Sequence, residues 1–258
     1  MEQLTFGTCV KRSWISTWQA IVQMPGLVLG VFVVITCTSL LSVSFHQPPS
    51  GADLDPATAT GHAFARLALS ILQLVVCGCL TIKVNRFVLL GEGTQPLVPL
   101  GGKPLGRHLL FTLGVGVGTV VITIGAAILA HQAQSAKLAL IGVPVLLAYL
   151  FIIVRLSLIY PAVALGSRLT LRAAWKDSRG HFWNIASMGL IAYLPLFIIW
   201  IAALLVGGKA LLTALLEGSV VANVVQAFVS TVFLVLSGAV MSWVYRRYAN
   251  GLLEHVAQ

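Results

Sequence analysis

Four cysteines, six histidines and seven acidic residues make up the chain's supply of metal ligands, nucleophiles and acid/base groups. Their spacing supports none of the usual chemistries. Cys37, Cys77 and Cys79 lie in apolar sequence and Cys9 near the N-terminus. A C-x-C pair on a helix points its thiols about 200 degrees apart, unsuited to one metal ion. The histidines are scattered singly over loops and boundaries, there is no H-E-x-x-H, and no two carboxylates share an apolar stretch. Zinc hydrolysis and general acid/base catalysis therefore lack their groups. Serines are plentiful, but an intramembrane hydrolase also needs a base at the depth of its nucleophile. The histidines and aspartates fall outside the apolar runs. Gly114-Val115-Gly116-Val117-Gly118 is no phosphate loop, because no strand precedes it. The sequence predicts no catalytic residue, no metal and no cofactor.

The cations offer more. Arg155 interrupts a hydrophobic stretch that resumes at Leu156 and runs to Leu165. A guanidinium in hydrocarbon is costly, so an intramembrane charge is a functional hypothesis by default. Either Pro161 ends the span early and Arg155 reaches the headgroups by snorkelling, or Arg155 is buried between helices with Glu92 or Asp177 as its partner. Further on, Ser167 can cap a short helix on which Arg168, Arg172, Lys176 and Arg179 recur at spacings of four, four and three. They form one basic stripe, beside Leu169, Ala173, Trp175, Phe182 and Trp183. Such a segment suits anionic phospholipid headgroups, each cation contributing about 1 kcal/mol near the surface. The plainer alternative is that it only fixes topology. Nucleic acid is not expected as a partner, since the positive charge is spread along one face without a DNA-reading motif.

Three further groups concern packing. Gly114, Gly118 and Gly125 lie on nearly one helical face, where missing side chains let another helix approach, inside the bundle or across a homo-oligomer seam. Asn223, Gln226 and Ser230 also share a face and suit an interhelical hydrogen-bond cluster; with Gln73 they are the thin polar set at mid-span. Pro144 and Pro195 each free a backbone carbonyl one turn earlier, as in the broken helices of transporters.

All these residues must be positioned by membrane spans. The chain is 58% hydrophobic and 9% charged over 258 residues, with a mean hydropathy of +0.96. A soluble domain carries about 25% charged residues, so this composition cannot keep a solvated surface. A helix needs roughly 20 apolar residues to cross the hydrocarbon core. Six stretches qualify, at about 25–45, 64–84, 109–130, 138–160, 185–208 and 220–245. None alternates with the period of two that a barrel strand shows. The expected fold is all-α, a single polytopic membrane domain of six transmembrane helices in three hairpins, preceded by an interfacial lead-in with Trp14 and Trp18. A cleaved signal peptide competes for the first span, but the run is longer than a signal core and a long charged segment precedes it.

Thirteen Lys and Arg residues fall on one side of these spans and only Arg66, Lys137 and Lys209 on the other. The positive-inside rule then places both termini in the cytoplasm. Because Asp53, Asp55 and Glu217 balance the three outer cations, the net charge of +9 belongs to the inner face.

The run from Arg155 through Tyr160-Pro161-Ala162 to Ala174-Trp175-Lys176-Asp177-Ser178-Arg179-Gly180-His181-Phe182-Trp183 resembles the arginine, proline-alanine and tryptophan/arginine-glycine pattern of bacterial six-helix membrane proteins. Those are the YciC-like family and the membrane domain found beside glycerophosphodiester phosphodiesterases. Arg86-Phe87-Val88-Leu89-Leu90-Gly91-Glu92 is similar to a feature of their relatives. The resemblance covers the hairpin organisation and, at motif level, the cytoplasmic side. It implies a bacterial inner-membrane protein without an assigned biochemical activity; a phosphodiesterase domain has no room here. The resulting expectation is a non-enzymatic accessory or scaffold of the envelope that contacts anionic lipid through its basic cytoplasmic loop. The alternative is a small permease or lipid transporter using Arg155 as an anion contact, which a midplane cavity lined by Arg155 and Gln226 would favour.

Overall fold

The structure is a computed structural model that describes residues 5–44, 56–91, 103–132, 136–167, 171–216 and 219–249. Every regular element among them is helical: α1 (Phe6–Gln23), α2 (Pro25–Ser44), α3 (Pro56–Leu90), α4 (Lys103–Gln132), α5 (Ala136–Leu156), α6 (Ile159–Ala164), α7 (Leu171–Asp177), α8 (Phe182–Leu216) and α9 (Val220–Tyr248). Six stretches are long and apolar enough to cross a membrane: Pro25–Val43, Thr60–Leu90, Pro104–Gly125, Pro144–Ala164, Phe182–Gly208 and Val220–Tyr248. The chain is a multi-pass membrane protein by this measure. Its outward faces agree, since Leu29, Phe64, Val121, Ile199, Leu205 and Val221 all stand more than half exposed. Such a surface needs lipid rather than water as its solvent.

Several helices outrun the uncharged stretches that announce them. Arg66, Lys83 and Arg86 all lie within α3, because a long basic side chain on a helix can run its stem along apolar surface to the headgroups. His108, expected at a loop boundary, sits in the second turn of α4 and is only 4% exposed. α8 contains a break at Gly208, whose φ of 53° and ψ of −144° suit glycine and close the fifth span.

The fourth span does not stop at Pro161. It breaks one turn earlier, at Ser157 and Leu158, and resumes as α6 with Pro161 in the first turn. The physical reason is the ring of Pro161, which clashes with the carbonyl four residues back, that of Ser157. α6 then ends in a left-handed Gly166 (φ 91°), with Ser167 N–H donating to Ala162 O at 3.1 Å and Gly166 N–H to Val163 O at 2.9 Å. That pair of bonds satisfies the last carbonyls of the helix.

α9 is the centre of the bundle and packs on α1, α2, α3 and α8. Its buried residues Val235, Leu236, Ala239, Val240 and Val244 meet Leu80, Val84 and Val88 of α3. Gly238 permits that approach, since a Cβ there would lie 2.9 Å from Val84 Cγ1. α1 is amphipathic, with Cys9, Ser13, Ser16, Thr17 and Ala20 buried on one side and Trp18 exposed on the other. Trp14 Nε1 donates to Ala192 O at 3.1 Å, in the turn of α8 that Pro195 weakens. On the opposite flank α4 packs on α5, with the Tyr149 hydroxyl donating to Val115 O.

Candidate functional site

One end of the bundle gathers the arginines, and their roles there differ. The guanidinium of Arg155, in the last turn of α5, donates from Nε to Ser178 Oγ at 3.2 Å and from Nη2 to Trp175 O at 2.9 Å. Its Cζ stands 3.9 Å from the Trp175 ring centre and 5.4 Å from that of Phe151, and the residue is only 7% exposed. Trp175 O belongs to the last turn of α7, where carbonyls lack intrahelical partners and the helix dipole is negative. Arg155 is thus a C-cap supplied from another helix, with an indole as its lid.

Arg246 and Arg107 act in the same way. Arg246 Nη2 donates to Val88 O at 2.7 Å and Leu89 O at 3.0 Å, closing α3, while Arg107 Nη1 reaches Ser167 O at 3.0 Å just past α6. The Trp243 ring lies 5.3 Å from the guanidinium of Arg12 and 4.9 Å from that of Arg246, and its Nε1 donates to Ser16 Oγ at 3.0 Å. The His181 and Tyr248 rings, 4.9 Å apart, join the start of α8 to the end of α9. These contacts tie α1, α3 and α8 to α9, and α7 to α5, at one end.

Of the expected basic stripe, Arg172, Lys176 and Arg179 are exposed, and Trp175 and Trp183 stand exposed beside them at 41% and 80%. Arg168 and Leu169 lie outside the described residues, as does Glu92. Ser167 does not act as the expected cap: its Oγ is buried without a hydrogen bond. Asp177, the other expected partner of Arg155, ends α7 and faces Tyr245 electrostatically.

The packing residues divide as well. Gly118 lies under Tyr149, whose Oη would be 2.9 Å from an added Cβ, whereas Gly114 and Gly125 would meet nothing within 4 Å. Asn223 Nδ2 donates to Ser219 O at 3.1 Å, within the first turn of its own helix. Gln226 and Ser230 instead line a cavity of about 440 Å³ with Gln73, Cys77, Trp200 and Leu234. A second cavity of about 260 Å³ shares Cys77 and Leu234 as walls and is lined by Asn85, His108, Tyr160 and Ser237. Asn85 and His108 were missed in the sequence, although Gln73, Cys77, Thr81 and Asn85 recur every four residues on α3, the signal of a polar face. Arg155 lines neither cavity. Among the described residues no three His, Cys, Asp or Glu side chains come together as a metal site would require.

Compared with family models, with curated proteins and with solved structures, the chain matches none.

Proposed function

We propose that the protein is a non-enzymatic accessory or scaffold of a bacterial inner membrane, which holds anionic phospholipid against the exposed cations of its α7 segment. In this reading the six spans form three hairpins and the arginine-rich end, with both termini, faces the cytoplasm. One observation carries it: Arg172 and Lys176 on α7, with Arg179 in the turn after it, are exposed beside exposed Trp175 and Trp183, and Arg155 fixes the end of α7 to the bundle. Cations with aromatic neighbours at a membrane boundary suit phosphate headgroups, and a fixed backbone reduces the ordering cost of binding them.

The full chain in detergent tests this directly. Phosphatidylglycerol should raise its unfolding temperature, by linkage to the native state, more than phosphatidylcholine does, and the difference should shrink in high salt. In the Arg172→Glu, Lys176→Glu double variant the difference should vanish. An equal response of parent and variant to phosphatidylglycerol sinks the headgroup reading.

The alternative, a small permease or lipid transporter, is favoured by the two cavities beside α3 and α9. It would have to work without Arg155 as its anion contact, because that side chain is committed to α7.

A further inference from the structure

The two adjoining cavities differ in character, and the difference runs along the membrane normal. The smaller lies near the arginine-rich end: Asn85 is five residues from the end of α3, about 8 Å at the helical rise. The larger reaches Gln73, about 25 Å from that end, and its walls are mostly apolar, with Ile35, Leu196, Phe197 and Phe233. Its volume falls within the roughly 300 to 1,000 Å³ of a small-ligand site.

The smaller cavity holds unmet polar groups. Asn85 is fully buried and His108 only 4% exposed, yet Nδ2 of the first and Nδ1 of the second have no hydrogen-bond partner. A buried polar group without a partner costs free energy that a ligand recovers by supplying one. The neighbouring bonds narrow the ligand. Ser242 Oγ lies 2.8 Å from Asn85 Oδ1 and 2.9 Å from Gly238 O, but a hydroxyl has one proton to give. If the Asn85 amide is turned over, Nδ2 donates to Ser242 and Oδ1 is the group left unmet. A hydroxyl, which both donates and accepts, can pair with Asn85 in either orientation or with His108 in either tautomer, and with both at once unless both need its one proton. No Lys, Arg, Asp or Glu lines either cavity, so a charged head would have no counter-ion.

We propose that this cleft binds a neutral membrane lipid whose head is a hydroxyl, with the head at Asn85 and His108 and the hydrocarbon in the groove past Gln226 and Trp200. The head then sits near the headgroup level and the tail extends toward the bilayer centre, as in an undisturbed leaflet. A diacylglycerol and a long-chain isoprenoid alcohol share this chemistry. The cleft is separate from the α7 cations and takes a different lipid class.

The test uses the full chain in nanodiscs and a photoreactive diacylglycerol. Labelling should saturate, and dioleoylglycerol or a polyprenol should compete for it while phosphatidylglycerol does not. Stronger competition by dioleoylglycerol than by the polyprenol assigns the glycerolipid source, and stronger competition by the polyprenol assigns the isoprenoid one. His108→Leu removes the head contact and Ser230→Trp fills the groove; each should cut saturable labelling about tenfold. Should the histidine variant unfold, the groove variant decides. Labelling that does not saturate, that survives both substitutions, or that phosphatidylglycerol displaces equally well overturns the proposal.

Discussion

Arg155 shows how a costly residue becomes a structural one. Its charge leaves water only as far as a helix carbonyl, a serine and an indole face, and none of those partners is another formal charge. Hydrogen bonds from a charged donor to partly buried acceptors, with cation–π contact, are worth on the order of 3 kcal/mol together. Arg155→Leu should therefore lower the unfolding temperature of the full chain and expose Trp175, read as a red shift in its fluorescence against a Trp175→Phe control. Arg155→Lys should recover only part of the loss, because an ammonium cannot stack on the indole and reach both acceptors as a planar fork does. Arg155 was legible in the sequence as an anomaly, but its partners were not. Asp177 was expected by sign of charge, whereas the Trp175 carbonyl, a group every residue owns, is invisible in composition. His108 was illegible for a related reason: a boundary drawn at the last uncharged residue excludes a side chain that the helix carries inward.

Among the elements, packing of α3 on α9 depends on a glycine outside the expected set. Gly238 faces Val84, a β-branched side chain with little rotamer freedom, so Gly238→Ala should destabilise by about 2 kcal/mol. Val84→Ala in the same chain should relieve most of that loss, a coupling that a double-mutant cycle in detergent measures. Gly114→Ala, at open space, should leave stability unchanged or raise it slightly through helix propensity. The small-xxx-small spacing located glycines on a face, but which face meets a neighbour is set by where the other helices lie. Similarly, Pro161 was read as a terminus, yet a proline acts on the carbonyl four residues before it. Pro161→Ala should let α5 and α6 join, and slower amide exchange across Ser157–Tyr160 would show it.

For the whole molecule, the excess of basic residues at one end does two jobs. Arg107, Arg155 and Arg246 close helix ends from neighbouring helices, and Arg172, Lys176 and Arg179 face out. In the proposed orientation, positive-inside selection and helix capping draw on one stock of arginine. Arg179→Cys should react with a membrane-impermeant maleimide only after the inner membrane is opened, measured against the parent chain with its own four cysteines. Reaction in intact spheroplasts would reverse the proposed orientation.

The sequence by itself determined that the chain is helical and crosses a membrane several times. That follows from a local sum, the length of apolar sequence needed to span hydrocarbon, and needs no knowledge of neighbours. Tertiary structure alone decided which arginine closes which helix and that Asn85 and His108 share a cavity. Those partners lie on different helices, 20 to more than 150 residues apart in the case of the arginines. An orphan carbonyl accepts from whichever donor the packing delivers, so residue type and spacing cannot name it.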